Sequence, residues 1–185
     1  MKGRMKMTTN IIITGFGGQG ILFIGKILAY AALMKGKELS WLPSYGPEMR
    51  GGTANCHVII SDEPVGSPII QNPDVLISMN KPSLDKFENK VVKGGHIIID
   101  STLIDRKVAR DDVHAVYADA TEIATECGKG SLANMVMLGA LLKETGLFTL
   151  EEIKAGLEKT IPPKKQHLAG LNMEMIEKGY NIAAD

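Results

Sequence analysis

Apolar residues along this chain fall into two periods. Residues 10–14 form a short β-branched run through Ile11, Ile12 and Ile13, the pattern of a buried strand. Residues 21–35 then place Ile21, Ile24, Leu28, Ala31 and Ala32 on one helical face, and Gly36 follows as a stop. Strands are predicted over residues 38–42, 54–61, 74–79, 96–100 and 113–118, with a weak extended piece at 68–70. A short helix is expected over 84–90, with Pro82 in its first turn. A strong helix is predicted over 131–144, with Leu132, Met135, Val136, Leu138 and Leu142 on its apolar side. Thr149 and Glu152 form a capping-box signature for a helix running to about residue 159. Pro162 and Pro163 interrupt the chain, and a last helix covers roughly 166–182.

Strands that alternate with helices give an α/β, Rossmann-like, three-layer domain with a mostly parallel sheet. The 54–70 region is expected to add an antiparallel hairpin, and the C-terminal third is helical. The 185 residues fit one domain spanning 1–185, with the basic, Met-rich residues 1–9 expected to be disordered. A chain of about this size buries close to 70% of its unfolded surface, enough for a core without staples.

Composition narrows the function classes. Lys plus Arg equals Asp plus Glu at 21 each, which gives no electrostatic case for nucleic acid or an anionic membrane and suits association with other proteins. Two cysteines, Cys56 and Cys127, cannot build a zinc or iron–sulfur site by themselves. No run approaches the roughly 20 apolar residues of a membrane span, and no signal peptide precedes residue 10, so a cytoplasmic location is expected.

The first chemical candidate is Gly15-Phe16-Gly17-Gly18-Gln19-Gly20, a G-x-G-x-x-G pattern between a strand and a helix. Gly15 allows a tight turn, Gly17 permits close approach of a ligand or a backbone, and Gly20 lets helix and strand pack. With Gly18 and Gln19 these form a candidate phosphate cradle at a helix N-terminus. Glycines serving packing or a partner chain weigh equally at this point. NAD binding needs an acid at the end of the second strand, but Glu38 begins that strand and Ser40-Trp41-Leu42 ends it.

The second candidate is the loop Pro43-Ser44-Tyr45-Gly46-Pro47-Glu48-Met49-Arg50-Gly51-Gly52. It follows the second strand and so belongs to the sheet edge that carries the glycine loop. Ser44, Tyr45, Gly46, Glu48, Arg50, Gly51 and Gly52 form an interface or substrate-side surface, with Arg50 suited to a carboxylate or phosphate. A surface turn with an internal Glu48–Arg50 pair is the plainer alternative.

Lesser candidates are weighed the same way. Cys56 and His57 are neighbours in a strand and point to opposite faces, so they form no catalytic dyad. Asp100, Ser101 and Thr102 suit a turn or cap better than catalysis. Lys129-Gly130-Ser131, with Asn134 one turn later, could hold an anion, against an ordinary N-cap by Ser131. The basic run from Pro162 to His167 reads as a solvated helix entry more than a phosphate contact. Met135, Met137, Met173 and Met175 suit adaptable packing against partner chains. No catalytic or metal-binding set is read from these residues.

The two loops carry a family resemblance. Thr14 to Gly20, then Pro43 to Gly52, Asn55 to Ser61, Pro73 to Leu76, the 95–100 strand and residues 131–139 together resemble the γ subunit of 2-oxoacid:ferredoxin oxidoreductases, the 2-oxoglutarate form most of all. The resemblance implies a non-autonomous enzyme subunit. Its complex oxidatively decarboxylates a 2-oxoacid, 2-oxoglutarate by preference with pyruvate or a branched-chain 2-oxoacid as alternatives, to an acyl-CoA and passes electrons to ferredoxin. It implies α, β and δ (ferredoxin-like) partners that hold thiamine diphosphate, magnesium and iron–sulfur clusters. It also implies contact with coenzyme A, and a homodimer is possible for the isolated chain. The alternatives are an assembly module without a ligand and an NAD-binding oxidoreductase.

Overall fold

The computed structural model of the protein describes residues 7–44 and 53–182. Nine residues, β1 (Thr8–Phe16), form an inner strand of a six-stranded sheet, where Ile11, Ile12 and Ile13 are buried on both faces. The chain leaves β1 through α1 (Ile21–Met34), forms β2 (Glu38–Ser44), and returns as β3 (Thr53–Ser61). It then builds β4 (Val75–Ser78), α2 (Lys81–Phe87), β5 (His96–Asp100) and β6 (His114–Ala118). Four helices finish it: α3 (Ala120–Glu126), α4 (Ala133–Thr145), α5 (Leu150–Thr160) and α6 (Ala169–Tyr180).

The sheet order is β2-β3-β1-β4-β5-β6. β1, β4, β5 and β6 run parallel, whereas β3 runs antiparallel to both β1 and β2. The period of two sorts the strands onto two cores. Ile11, Ile13, Val58, Ile60, Ile77 and Ile98 face α1 and α3 to α6, while Ile12, Ile59, Leu76, Ile97 and Ile99 face α2. The three layers are therefore lopsided. The thinner face is completed by the connection from β5 to β6, residues 101–113, which carries no helix. It is strapped down by charge: buried Glu88 accepts from Arg106 Nη2 at 2.8 Å and from the Ala109 N–H, and Arg110 donates to the Val91 carbonyl.

Five helices fit over one face because backbones touch. A Cβ on Gly139 of α4 would strike the Ile176 carbonyl of α6, and one on Gly179 would strike the Val136 carbonyl. A Cβ on Gly156 of α5 would lie 2.7 Å from the Ile27 carbonyl of α1. Covered on all sides, α4 is buried from Ala133 through Leu142.

Several expectations are corrected. The antiparallel pairing is not a hairpin within 54–70; it is β3 inserted between β1 and β2, and 68–70 forms no strand because turn residues Asp62 to Pro68 carry the chain off the sheet. Thr8 and Thr9, expected in a disordered terminus, pair with Ser61 and Ile60. Pro43 and Ser44 belong to β2 rather than to the loop, with Cys56 and Asn55 as their partners. α3 was not foreseen, since its seven residues are too short to show a period. Pro163–Leu168 winds as a 3-10 turn before α6. Ser131 does not cap α4; it lies in a 3-10 turn, and Leu132 holds the N-cap position without a side-chain bond. Met135, Met137, Met173 and Met175 are core residues, not partner contacts, because α4 and α6 bury them. The Thr149–Glu152 capping box forms as expected.

These contacts separate two glycines on neighbouring helices. Gly139→Ala is expected to lower unfolding free energy by about 2–3 kcal/mol, because the added carbon meets backbone. Gly170→Ala, with open space around it, is expected to raise it by about 0.5–1 kcal/mol. Urea unfolding followed by circular dichroism reads both.

Candidate functional site

The glycine loop starts inside the sheet. Gly15 and Phe16 still belong to β1, paired with Ala54 and Thr53, so Gly15 does not make the turn. The turn runs from Phe16 to Gln19, closed by Gln19 N–H on the Phe16 carbonyl at 3.2 Å, and Gly18 takes φ 94° at its third position. Gly20 takes φ 75° as the N-cap of α1. Gln19 organises the loop. Its Oε1 accepts from the Phe16 N–H at 2.6 Å, and its Nε2 donates to the Met79 carbonyl at 3.0 Å, just beyond β4. Gly15 is needed there because a Cβ would lie 2.7 Å from Gln19 Oε1. Gln19 thus spans the crevice between the carboxyl ends of β1 and β4, the place where strand order reverses.

Two helix N-termini meet beside this loop. α1 has no side-chain cap and no acid in its first turn, and the same holds for α4. Among the described residues nothing accepts from the Ile21 and Leu22 amides. Asn134, near the start of α4, donates from Nδ2 to the Gly20 carbonyl at 3.2 Å and would be struck by any Cβ on Gly20. Asn134 is buried, and its Oδ1 has no partner among the described residues. Open amides at a positive helix end suit an anion, and the orphaned oxygen suits a hydroxyl or N–H donor. Lys129, ahead of α4, is exposed.

The second loop is fixed by its ends. Ser44 pairs with Asn55, which pairs with Thr14, and Thr53 pairs with Phe16, so the chain leaves and re-enters the sheet at the edge that carries the glycine loop. Tyr45, Gly46, Glu48, Arg50, Gly51 and Gly52 lie outside the described residues. A shallow depression of about 330 Å³ lies at the foot of this loop, lined by Leu42, Pro43, Ser44, Asn55 and His57.

The lesser candidates take the places their residues favour. Cys56 is buried among the helices, and burial pushes its thiol up to about 12, the Trp41 indole pulling weakly the other way. His57 faces the opposite side, where Nδ1 accepts the Ile70 N–H at 3.0 Å. Burial first, and the Lys90 cation second, hold His57 below its usual 6.5. Asp100 is buried and holds Thr121 Oγ1 at 2.6 Å and the Thr102 amide at 3.2 Å, a turn-locking role. Asn80 caps α2 through the Ser83 amide at 2.8 Å, which sequence reasoning missed. Among the described residues no group of three His, Cys, Asp or Glu could hold a metal, and no helix is long and apolar enough to cross a membrane.

With this geometry in place, residues 10–182 match the pyruvate ferredoxin/flavodoxin oxidoreductase family. The chain belongs to this family. Among its family relatives, the ketoisovalerate oxidoreductase subunit VorA of Methanothermobacter thermautotrophicus is 43% identical over 94% of this chain, which spans only 36% of that protein. The 2-oxoglutarate synthase subunit KorC of Methanocaldococcus jannaschii is 36% identical over 100% of this chain and 98% of its own length. The crystal structure of a keto/oxoacid ferredoxin oxidoreductase γ subunit from Geobacter sulfurreducens superposes with a TM-score of 0.79 at 29% identity, over 93% of this chain and 96% of that one. The chain shares its overall fold with that γ subunit.

Two outcomes test the geometry. Gln19→Ala removes two hydrogen bonds and is expected to cost about 1–2 kcal/mol while speeding amide exchange at Phe16. Because His57 binds its proton less readily folded than unfolded, stability is held above pH 6.5 and falls as the pH drops through the folded-state value. His57→Asn is expected to flatten that slope in urea titrations run from pH 7.5 to about pH 5.

Proposed function

We propose that this chain is the γ subunit of a 2-oxoacid:ferredoxin oxidoreductase and that it presents the edge around Gly15, Gly17, Gly18, Gln19 and Gly20 to coenzyme A. The observation that carries the subunit reading is the end-to-end match to KorC, a protein named as a subunit and of the same extent. The coenzyme A reading rests on the two uncapped helix N-termini joined through Asn134 and Gly20. Phosphates of coenzyme A suit the open amides, and its hydroxyl and amino groups suit Asn134 Oδ1. The segment between Ser44 and Thr53, which carries Tyr45, Glu48 and Arg50, leaves and re-enters the sheet at this edge and serves the ligand or the partner chains.

In this reading the complex converts a 2-oxoacid to an acyl-CoA and passes electrons to ferredoxin. Thiamine diphosphate, magnesium and iron–sulfur clusters reside in α, β and ferredoxin-like δ partners, where they supply carbanion and electron-transfer chemistry. The end-to-end KorC match favours 2-oxoglutarate, and the higher identity to VorA favours a branched-chain 2-oxoacid. A cytoplasmic location suits two unbridged cysteines. An NAD-binding oxidoreductase is disfavoured by β2 itself, whose only carboxylate, Glu38, stands at the strand's opposite end.

Gentle anaerobic purification of the tagged chain from its native source tests this. Thiamine- and cluster-bearing chains are expected to accompany it, and the preparation is expected to reduce ferredoxin with coenzyme A and one of 2-oxoglutarate, pyruvate or 2-oxoisovalerate. Recovery of a homo-oligomer alone would refute the subunit reading. In the complex, Asn134→Leu is expected to raise the KM for coenzyme A about tenfold with little change in the KM for the 2-oxoacid. An unchanged KM for coenzyme A would leave an assembly role without that ligand.

A further inference from the structure

The sheet has two edges, and they are built differently. β2 carries Pro43, which cannot donate to a neighbouring strand, and opens with the charge of Glu38. β6 has the sequence His-Ala-Val-Tyr-Ala, with no proline or lysine, and stays in continuous register with β5. Among the described residues the strand carries neither lysine nor proline nor bulge, three of the usual protections of an edge.

His114 N–H donates to the Gly95 carbonyl at 2.8 Å, and the Ala118 carbonyl accepts from Ser101 N–H at 2.9 Å. In a parallel pair alternate residues bond the neighbour, so His114, Val116 and Ala118 face β5. Ala115 and Tyr117 then turn their N–H and C=O groups outward. Among the described residues these groups find no partner. Beside them runs a groove of about 390 Å³, lined by Val116, Ala140, Lys143, Glu144, Gly179 and Ile182. The small Ala140 side chain leaves room in it, and Val116 and Ile182 give it apolar walls. Lys143 sits at its rim with Nζ 5.3 Å from the Tyr180 ring centroid. Among the described residues Lys143 has no carboxylate partner, whereas neighbouring Glu144 is bonded to His96 Nδ1 at 2.9 Å.

We infer that β6 is a docking edge that takes an extended segment of a partner subunit as a seventh strand, with a small apolar residue over Ala140 and Gly179 and a carboxylate against Lys143. Main-chain groups of Ala115 and Tyr117 recognise the strand, and the groove with its unpaired cation selects the side chains. The occupant is a partner chain because neither edge of a second copy fits: its β6, His-Ala-Val-Tyr-Ala, brings no carboxylate to Lys143, and its β2 carries Pro43. This inference rests on the subunit reading.

Ala115→Pro removes one outward N–H and leaves the bonds to β5 intact, so the isolated variant is expected to keep its circular dichroism spectrum. Tagged wild-type and A115P chains are purified anaerobically from the native source. Wild type is expected to bring its partner chains, and A115P is expected to lose about tenfold of at least one of them. Lys143→Glu, at an exposed position, is expected to weaken recovery of the same partner and serves if A115P folds poorly. Amide exchange at Ala115 and Tyr117 is expected to slow about tenfold or more from the isolated chain to the complex. Equal partner recovery by both variants, or unchanged exchange at these amides, would overturn the docking edge while leaving the subunit reading intact. A wild-type chain without partners would overturn both. A homodimer of the isolated chain that A115P converts to monomer in sedimentation would overturn the partner assignment in favour of a second copy.

Discussion

Backbone-to-backbone contact between helices is the constraint on which the rest of this structure depends. Gly139 and Gly179 bring α4 against α6, and Gly156 brings α5 against α1. A side chain at any of these positions would separate axes that must lie close for five helices to share one sheet face. The consequence reaches the functional edge. α4 is seated deeply enough for Asn134 to touch the Gly20 carbonyl, which brings the two helix N-termini together. Gly25 does the same on the sheet side, since a Cβ there would strike the Cys56 sulfur and crowd the Trp41 indole. The space under α1 goes to Trp41 and to Cys56, and burial keeps the thiol protonated across the physiological range.

Insertion of β3 between β1 and β2 changes what the glycine loop can do. In a dinucleotide fold the strand after the first helix lies next to β1, so its terminal acid stands about 5 Å from the loop strand. Here two strand spacings, about 10 Å, separate the carboxyl ends of β1 and β2. A carboxylate placed at Ser44 would still be a spacing too far to hold a ribose seated on the loop. The crevice on the other side, between β1 and β4, is bridged by Gln19. Strand order sets the end of β2 beyond reach of a ribose seated on the loop, and Gln19 lies across the crevice on the other side.

Much of this was legible from sequence where the signal was local. The Ile11–Ile13 run, the α1 period, the Thr149–Glu152 box and the opposition of Cys56 to His57 each depend on a few adjacent residues, and the structure places them as read. What escaped is non-local. No periodicity distinguishes an antiparallel strand inserted beside β1 from one at the sheet edge. The Asn134–Gly20 bond joins residues 114 positions apart, and the Gln19–Met79 bond joins residues 60 apart. The methionines of α4 were misassigned for the same reason, since a helix apolar on every side shows its burial only when its neighbours are in place, and those of α6 are covered by the same α4 contact.

Magnitudes then limit what the open edge can do alone. Each helix N-terminus stabilises an anion by about 0.3–1 kcal/mol when exposed and by up to about 2 kcal/mol when partly buried. Two of them supply roughly 1–4 kcal/mol, which corresponds at best to millimolar affinity. Asn134 Oδ1 adds one hydrogen bond, about 1 kcal/mol more. An edge of this strength does not hold a free nucleotide at micromolar concentration. It contributes usefully to a ligand already gripped elsewhere, and the second supply of contacts has to come from the loop between Ser44 and Thr53 or from another chain. Under the proposed coenzyme A reading, the glycine loop is one wall of a site whose remaining walls lie beyond the sheet, an arrangement that suits a subunit.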